Sequence, residues 1–354
     1  MKLRPTRFIR TSAALAVVWL SITAATAQTT TTKIVTAANT FLSTLDAKQR
    51  QTVLFAYDDE KQRTRWSNLP VKMVPRAGLS IQEMNPTQRT AAMALLRSAL
   101  SARGYEKVQQ ILDGDEVLKV GDPASGLAPG GGAPPNLMFG KEIFYFSLLG
   151  MPSESAPWML QFGGHHLALN ITIAGAQGIL TPTLTAAQPA LYNLNGKTVR
   201  PLGQESDKGL ALFNTLDDSQ KKQAIIGSRM ADLVLGPGQD GKVIQPEGVK
   251  ATAMTDRQRA MMLDVVSEWA DIILESAAAT RMAQLKADIN ETWFAWSGPT
   301  DGVAGKNIAA YYRIQGPHVV IEYAPQPLGG DPTLHVHTMY RDPTNDYGRS
   351  PVKK

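Results

Sequence analysis

The sequence predicts an α+β fold made by internal tandem duplication, and three observations carry that reading. Residues Pro75 to Arg89 and Pro246 to Arg259 repeat one pattern at a constant spacing from Gly78 and Gly248 onward, and self-similarity at a fixed period marks a repeated unit. Further along, Met159–Asn170 lies over Tyr311–Glu322, and Thr181–Leu184 over Asp331–Leu334. Four helix starts share one chemical device, and each helix pair is followed by β-like sequence. Helices then strands, rather than alternating βα units, argue for antiparallel sheet in each half. The halves, 28–200 and 201–354, are expected to pack as one unit, because Leu184–Asn214 between them holds a hairpin signal rather than a flexible Ser/Gly run.

Before the first half, Lys2, Arg4, Arg7 and Arg10 precede an apolar run from Ala13 to Ile22 and then Ala25-Thr26-Ala27. A charged start, a short apolar stretch and a small-residue cleavage site predict a secretory signal peptide over 1–27, and hence an exported protein, periplasmic or secreted. A membrane-spanning helix needs about 20 apolar residues, and no run of that length follows, so no membrane span is expected. The leader carries four basic and no acidic residues, which accounts for most of the formal net charge of +5. What remains is close to neutral and lacks the clustered basic surface of a nucleic-acid binder. With no cysteine in the chain, disulfides, thiolate nucleophiles and cysteine-ligated metals are excluded.

Asp46 with Gln49, Asn85 with Gln88, Asp217 with Gln220 and Thr255 with Gln258 each place a capping side chain three residues ahead of a Gln that reaches back to it. Pro86 takes the first helical position, where its missing N–H costs nothing. Met262, Val265, Val266, Trp269, Ile272 and Ile273 recur at helical spacing and read as a core-facing stripe. Gly104 and Gly236-Pro237-Gly238 are expected to close the second and third helices. Asn195-Gly196 between short β-like runs predicts a hairpin. Residues 120–136, with Gly130–Gly132 and Pro134-Pro135, form a loop with no counterpart in the second half, and without the Lys and Ser or Thr of a phosphate cradle. Phe144, Tyr145 and Phe146 match Trp293, Phe294 and Trp296 and read as core, with a saccharide-stacking platform as the alternative.

All five histidines fall in the matched blocks or directly after one. Side chains two apart on a strand share a face, so Leu167, Leu169, Ile171 and Ile173 form an apolar face with His165 at its edge. His166, Ala168, Asn170 and Thr172 point the other way, and the repeat aligns His166 with His318 and Asn170 with Glu322. His335, His337, Met339 and Arg341 share one face of the last segment, and His-x-His on a strand offers two convergent imidazoles. The candidate metal ligands are therefore His166, His318, His335 and His337. Glu322, Asp342 or Asp346 could add a carboxylate; two His and a carboxylate would suit Fe, Mn or Zn, and three His would suit Zn or Cu. His166, Glu322, Arg341 and Asp342 are the candidate catalytic residues. Arg341 suits an anionic or hydroxyl-rich substrate, unless it simply pairs with Asp342 in a turn. His165 reads as structural. The first half lacks a His-x-His pair, so one site near the boundary between halves is expected. No Gly-x-Ser-x-Gly, Ser-x-x-Lys or His-Glu-x-x-His occurs, which disfavours a serine hydrolase. Two functions follow: a metal-dependent enzyme, hydrolytic or oxidative, acting on an extracellular small molecule or saccharide, or a periplasmic binding or scaffold protein with structural histidines.

Trp66–Pro70, Gly163–Asn170, Tyr312-Arg313-Ile314, Gly316-Pro317, Ile321-Glu322, His335–Pro343 and Asn345–Gly348 together make the chain resemble the bacterial exported family of domain of unknown function 3500. The resemblance spans nearly all of 28–354. It implies an exported protein of about this length and brings no established activity or cofactor. Relatives commonly continue past the Asp-Tyr-Gly motif in a further tail; if that tail closes a site in them, the resemblance implies a site here that is more open or impaired.

Overall fold

A computed structural model describes residues 30–121, 138–228, 232–327 and 330–349. The leader and most of the Gly/Pro loop lie outside these residues. Along the chain come α1 (30–43), α2 (Ala47–Val53), β1 (Leu54–Phe55), α3 (Glu60–Arg63), β2 (Leu79–Ser80), α4 (Pro86–Ala99) and α5 (Ala102–Val120). Strands β3 (Tyr145–Leu149), β4 (Trp158–Gly164), β5 (Leu167–Ala174), β6 (Gln177–Ile179) and β7 (Thr183–Ala187) follow, then the hairpin β8 (Tyr192–Leu194) and β9 (Lys197–Val199). Next come α6 (Gly203–Asn214), α7 (Asp218–Ala224), β10 (Ile225–Gly227), β11 (Val249–Lys250), α8 (Asp256–Ala270) and α9 (Glu275–Ala287). The last strands are β12 (Trp293–Ser297), β13 (Tyr311–Gly316), β14 (Val319–Pro325) and β15 (Val336–Arg341).

These elements make an α+β protein around one mixed sheet, ordered β1-β3-β4-β5-β7-β15-β14-β13-β12-β10. Its outermost strands run parallel to their neighbours, β1 to β3 and β10 to β12, and the rest of the path is antiparallel. β7 and β15 pair at the centre, from Val336 opposite Ala187 to Tyr340 opposite Thr183.

All four capping boxes form, at Asp46, Asn85, Asp217 and Thr255. They also interlock in pairs. Gln88 Nε2 donates to Gln49 Oε1 at 2.7 Å, and Gln258 Nε2 to Gln220 Oε1 at 2.9 Å, so each cap orients a second helix as well as its own. The glycine expectations need correction. Gly104 lies in the first turn of α5, its N–H donating to the Ser101 hydroxyl, where an added Cβ would sit 2.1 Å from the Ile272 carbonyl oxygen. α4 ends at Ala99, and α7 runs into β10, leaving Gly236–Gly238 well beyond it. The Asn195-Gly196 hairpin forms with both residues at positive φ, 51° and 75°, as a tight two-residue turn requires.

Helices cover one face of the sheet. Leu167, Leu169, Ile171 and Ile173 pack there with residues of α1, α4 and α5, and Phe294, Trp296, Tyr312, Ile321 and Tyr323 pack with α6 and α8. Phe144 and Phe146 are buried in the same layer, and Trp296 stacks on Phe213 at 4.2 Å, so these aromatics are core. Each fully buried Leu or Ile contributes about 1.5–3 kcal/mol, and Ile171→Ala would cost about 2–5 kcal/mol. Between α5, α6 and α8 lies a buried ion network. Lys107 meets Glu205 and donates to the Glu268 carbonyl at 3.2 Å, while Glu268 also meets Arg103. Burial raises the Glu205 carboxyl pKa against the pull of Lys107.

The opposite face carries a smaller apolar cluster, with Trp66, Met159, Ala168, Leu184, Met339 and Tyr347. Tyr347 clasps the segments over it: its hydroxyl accepts from Trp66 Nε1 at 2.7 Å and donates to Asp240 Oδ1 at 2.8 Å. Among the described residues no helix is long and apolar enough to cross a membrane.

Candidate metal centre

β4 and β5 are joined by two residues only, His165 and His166, with Gly164 paired to Leu167. His166 adopts a left-handed backbone, φ 62°, which costs a residue with a side chain roughly 1–2 kcal/mol. Backbone bonds on both sides hold it there: its N–H donates to the Asn68 carbonyl at 3.2 Å, and its carbonyl accepts from the Ala186 N–H at 2.8 Å. Arg76 braces the same corner, with Nη2 donating to the carbonyls of Ser67, Leu69 and Gly164 at 2.7–2.9 Å. Burial lowers that guanidinium to about 10.

His335 is extended and directly precedes β15, so its side chain shares a face with His337. Across the sheet His337 is flanked by Ala186 and Ala324, whose small side chains leave room for an imidazole. The three rings converge. His335 Nε2 lies 3.1 Å from His166 Nε2 and 3.0 Å from His337 Nε2, with the residues only 6%, 3% and 5% exposed. A neutral imidazole has a single N–H, so three nitrogens aimed at one point do not satisfy one another, and a cation between them does. Nitrogens bound to one Zn²⁺ at about 2.0–2.1 Å in a tetrahedral site stand roughly 3.3 Å apart; the two spacings from His335 are close to that, and the three ligand atoms all lie within 4.8 Å of one another.

His337 Nδ1 lies 3.1 Å from Asp232 Oδ1 and 3.4 Å from Asn68 Nδ2. The shorter contact, to a carboxylate, places the proton on Nδ1 and turns the Nε2 lone pair inward. Gln326 Nε2 donates to the same carboxylate oxygen at 2.9 Å. Burial alone would raise the Asp232 carboxyl pKa, but its contact with His337 and its hydrogen bonds from the Leu233 N–H and Gln326 outweigh it and the net direction is down. His166 is held well below the usual histidine range, first by burial and then by His165, His335 and His337. It is therefore neutral at pH 7, the form that ligates a metal. His165 turns the other way, its ring stacked on His166 at 3.6 Å and its Nδ1 2.5 Å from Asp115 Oδ1 on α5. Asp115 Oδ2 in turn accepts from the Gly140 N–H at 2.8 Å.

Of the four histidines expected to act together, His166, His335 and His337 meet, whereas His318 does not join them. It sits in the β13–β14 turn at the other end of the sheet, with Nδ1 2.8 Å from Thr344 Oγ1. Glu322, Arg341 and Asp342 engage neighbouring segments. The Glu322 carboxylate accepts from the N–H groups of Val234 and Leu235 and from the Tyr311 hydroxyl at 2.7–2.8 Å, anchoring the segment that begins at Asp232. Arg341 pairs with Asp240 and Asp346 at 2.9 and 2.8 Å, and Asp342 pairs with Arg281 at 2.7 Å, so Arg341 and Asp342 do not pair with each other. Sequence reasoning missed Asp232, Asn68 and Gln326. Asp232 and Gln326 belong to no motif, Asn68 lies within Trp66–Pro70 without any sign of a role at the site, and loops bring each of them there.

Fold and site together define an α+β protein whose central sheet presents three buried histidines able to hold a metal ion. The chain belongs to the family described as Protein of unknown function (DUF3500), whose model matches residues 27–349. No curated protein and no solved structure matches it.

Proposed function

We propose that this protein is an exported metal-dependent enzyme, hydrolytic in type, whose centre is a divalent ion held by Nε2 of His166, His335 and His337. The convergence of those three nitrogens, His335 within 3.1 Å of each of the other two and all within 4.8 Å of one another, carries the reading. Three neutral imidazoles leave at least one coordination position for water, and an ion of the zinc type lowers the pKa of bound water toward 7. Asp232, outside the ligand set but bonded to His337, matches the carboxylate partner that orients a ligating histidine. Its side chain is half exposed, so solvent and a small extracellular molecule or saccharide approach from that side. Copper, iron or manganese would turn the same ligands to oxidative chemistry.

A second reading is favoured by one observation: the rings are only 3–6% exposed, which suits an ion that staples the fold rather than one that turns over substrate. The wider architecture belongs to this proposal too. An origin by duplication is supported by a strand order that reads alike from both edges and by the two interlocked capping pairs. Halves at 28–200 and 201–354, packed as one unit with the first supplying His166 and the second His335 and His337, follow from it; removal of 1–27 on export rests instead on the charged and apolar pattern of that segment.

Metal analysis of the protein recovered from the cell envelope tests the proposal. Near one equivalent of Zn, Cu, Fe or Mn, lost in His335→Ala, is expected. A chain that takes up none of the four on reconstitution sinks it.

A further inference from the structure

Two of the three converging rings are fixed by different means. A ligating imidazole is ordinarily oriented by a hydrogen bond through the nitrogen that does not face the ion. His337 has that bond, from Nδ1 to Asp232. His166 has none: its Nε2 meets His335, and its Nδ1 makes no hydrogen bond among the described residues. The last torsion of a histidine side chain is intrinsically broad, so a ring tied only through its backbone can turn and carry Nε2 off the point of convergence.

A neighbouring ring removes that freedom. His165 lies face to face with His166, the centroids 3.6 Å apart and the planes 27° from parallel, and turning the His166 ring would drive its edge into that wall. The wall is itself pinned. His165 Nδ1 lies 2.5 Å from Asp115 Oδ1 on α5, and Phe139 sets an edge against the His165 ring at 4.8 Å and 69°. Asp115 Oδ2 is spent on the Gly140 N–H at 2.8 Å. Asp115, His165 and Phe139 are only 3%, 5% and 8% exposed. A buried His–Asp pair can exist simply to satisfy itself, but this one presents its flat face to the one ring that lacks a hydrogen bond of its own.

We infer that His165, anchored by Asp115, is a positioning residue of the metal centre, fixing the plane of the His166 ring by stacking where His337 relies on a hydrogen bond. The inference rests on the reading of the three histidines as a metal site and adds to it a residue that touches no ion. Co²⁺ is the probe, because its visible absorption bands report ligand geometry, and its affinity is measured by competition with a chelator. The full chain carries Asp115→Asn in every sample, so that no charged carboxylate is left buried and unpaired when His165 is changed. In that background His165→Ala removes the wall, weakens Co²⁺ at least about tenfold, as loss of an orienting partner does, and shifts the bands. His165→Leu, which fills the space without a flat face, does the same and replaces the Ala variant should its cavity prevent folding. His165→Phe restores a flat ring against His166 and recovers the bands and most of the affinity. A role confined to holding the fold would not separate Leu from Phe. Unchanged affinity and bands in His165→Ala and His165→Leu, or a loss in His165→Phe as large as theirs, overturns the inference while the metal site stands. A wild-type chain that takes up no Co²⁺ overturns both.

Discussion

Replacing His335 by Thr and His337 by Ala removes two of the three converging nitrogens and leaves His166 in place. The size of the effect can be worked from linkage and burial. An ion present at 100 times its Kd stabilises the folded state by about 2.7 kcal/mol. In a chain of this size that is roughly 4–8 °C in Tm, and a strong chelator should remove it from the wild type. The substitution itself should cost only about 1–2 kcal/mol, within the usual range for single changes. The two rings contact each other and His166, at centroid distances of 4.8–5.3 Å, and His337 lies between two alanines across the sheet. Asp232 loses the His337 bond but keeps Gln326 and, being half exposed, water. Calorimetry with and without chelator, alongside metal analysis, separates these terms. The wild type should drop by roughly 4–8 °C on chelation; the double variant should show no chelator response and melt within about 5 °C of the chelated wild type. A variant that keeps its metal, or that melts far below the chelated wild type, would show that these histidines hold the fold and not an ion.

Asp232→Asn should weaken metal affinity about 10–100-fold without altering the ligand set, and a competition titration showing no change would remove Asp232 from the centre. The pH dependence follows from His166. Because its folded pKa lies well below the ordinary 6.5, the unfolded chain binds a proton between those values that the folded chain does not. Stability is therefore complete above about 6.5 and falls, by up to about 1.4 kcal/mol per pH unit, as pH drops through that window. Urea midpoints of the chelated protein from pH 7.5 to 5.5 should show the slope, and His166→Asn should flatten it. Tyr347→Phe leaves the Trp66 indole N–H and the Asp240 carboxylate short of a partner and should cost about 1–3 kcal/mol; an unchanged Tm would mean that the clasp does not bear on stability. Lys107→Met leaves two buried carboxylates, Glu205 and Glu268, without their shared cation and should cost about 3–5 kcal/mol in denaturant titrations at pH 7.

What the sequence made legible was local or periodic. The four capping boxes need only a side chain and a Gln three residues on, and all four formed. The alternation in Leu167–Ile173 and Val336–Arg341 assigned faces correctly, since a strand's period of two is fixed by its backbone. His335 and His337 therefore came out together, and His166 joined them through the hairpin turn. His318 shares its motif with His166 but occupies the other turn, at the far end of the strands, a distinction only pairing register makes. Arg341 and Asp342 are adjacent in sequence yet point to opposite faces, which is why neither the substrate role weighed for Arg341 nor the alternative pairing with Asp342 is seen, and Asp240, Asp346 and Arg281 take their place. Asp232 and Asn68 arrive from loops whose path depends on Glu322, Arg341 and Arg76, and no local signal encodes that path. Gly104 looked like a helix end because glycine commonly ends helices; its actual constraint, the carbonyl of Ile272, lies far away in the chain.

The central β7–β15 pair has a consequence for broken chains. All five residues of β7 are buried, and its outer partner is a strand more than a hundred residues later. A protease cut near Val199 followed by separation of the pieces would strip that partner and leave the edge of a normally buried strand unpaired. Such an edge recruits any chain able to extend the sheet, most readily another copy of the same fragment. The hairpin and α6 that follow β7 thus act as a solubility safeguard, since they keep at hand the one strand that caps this edge without building an aggregate.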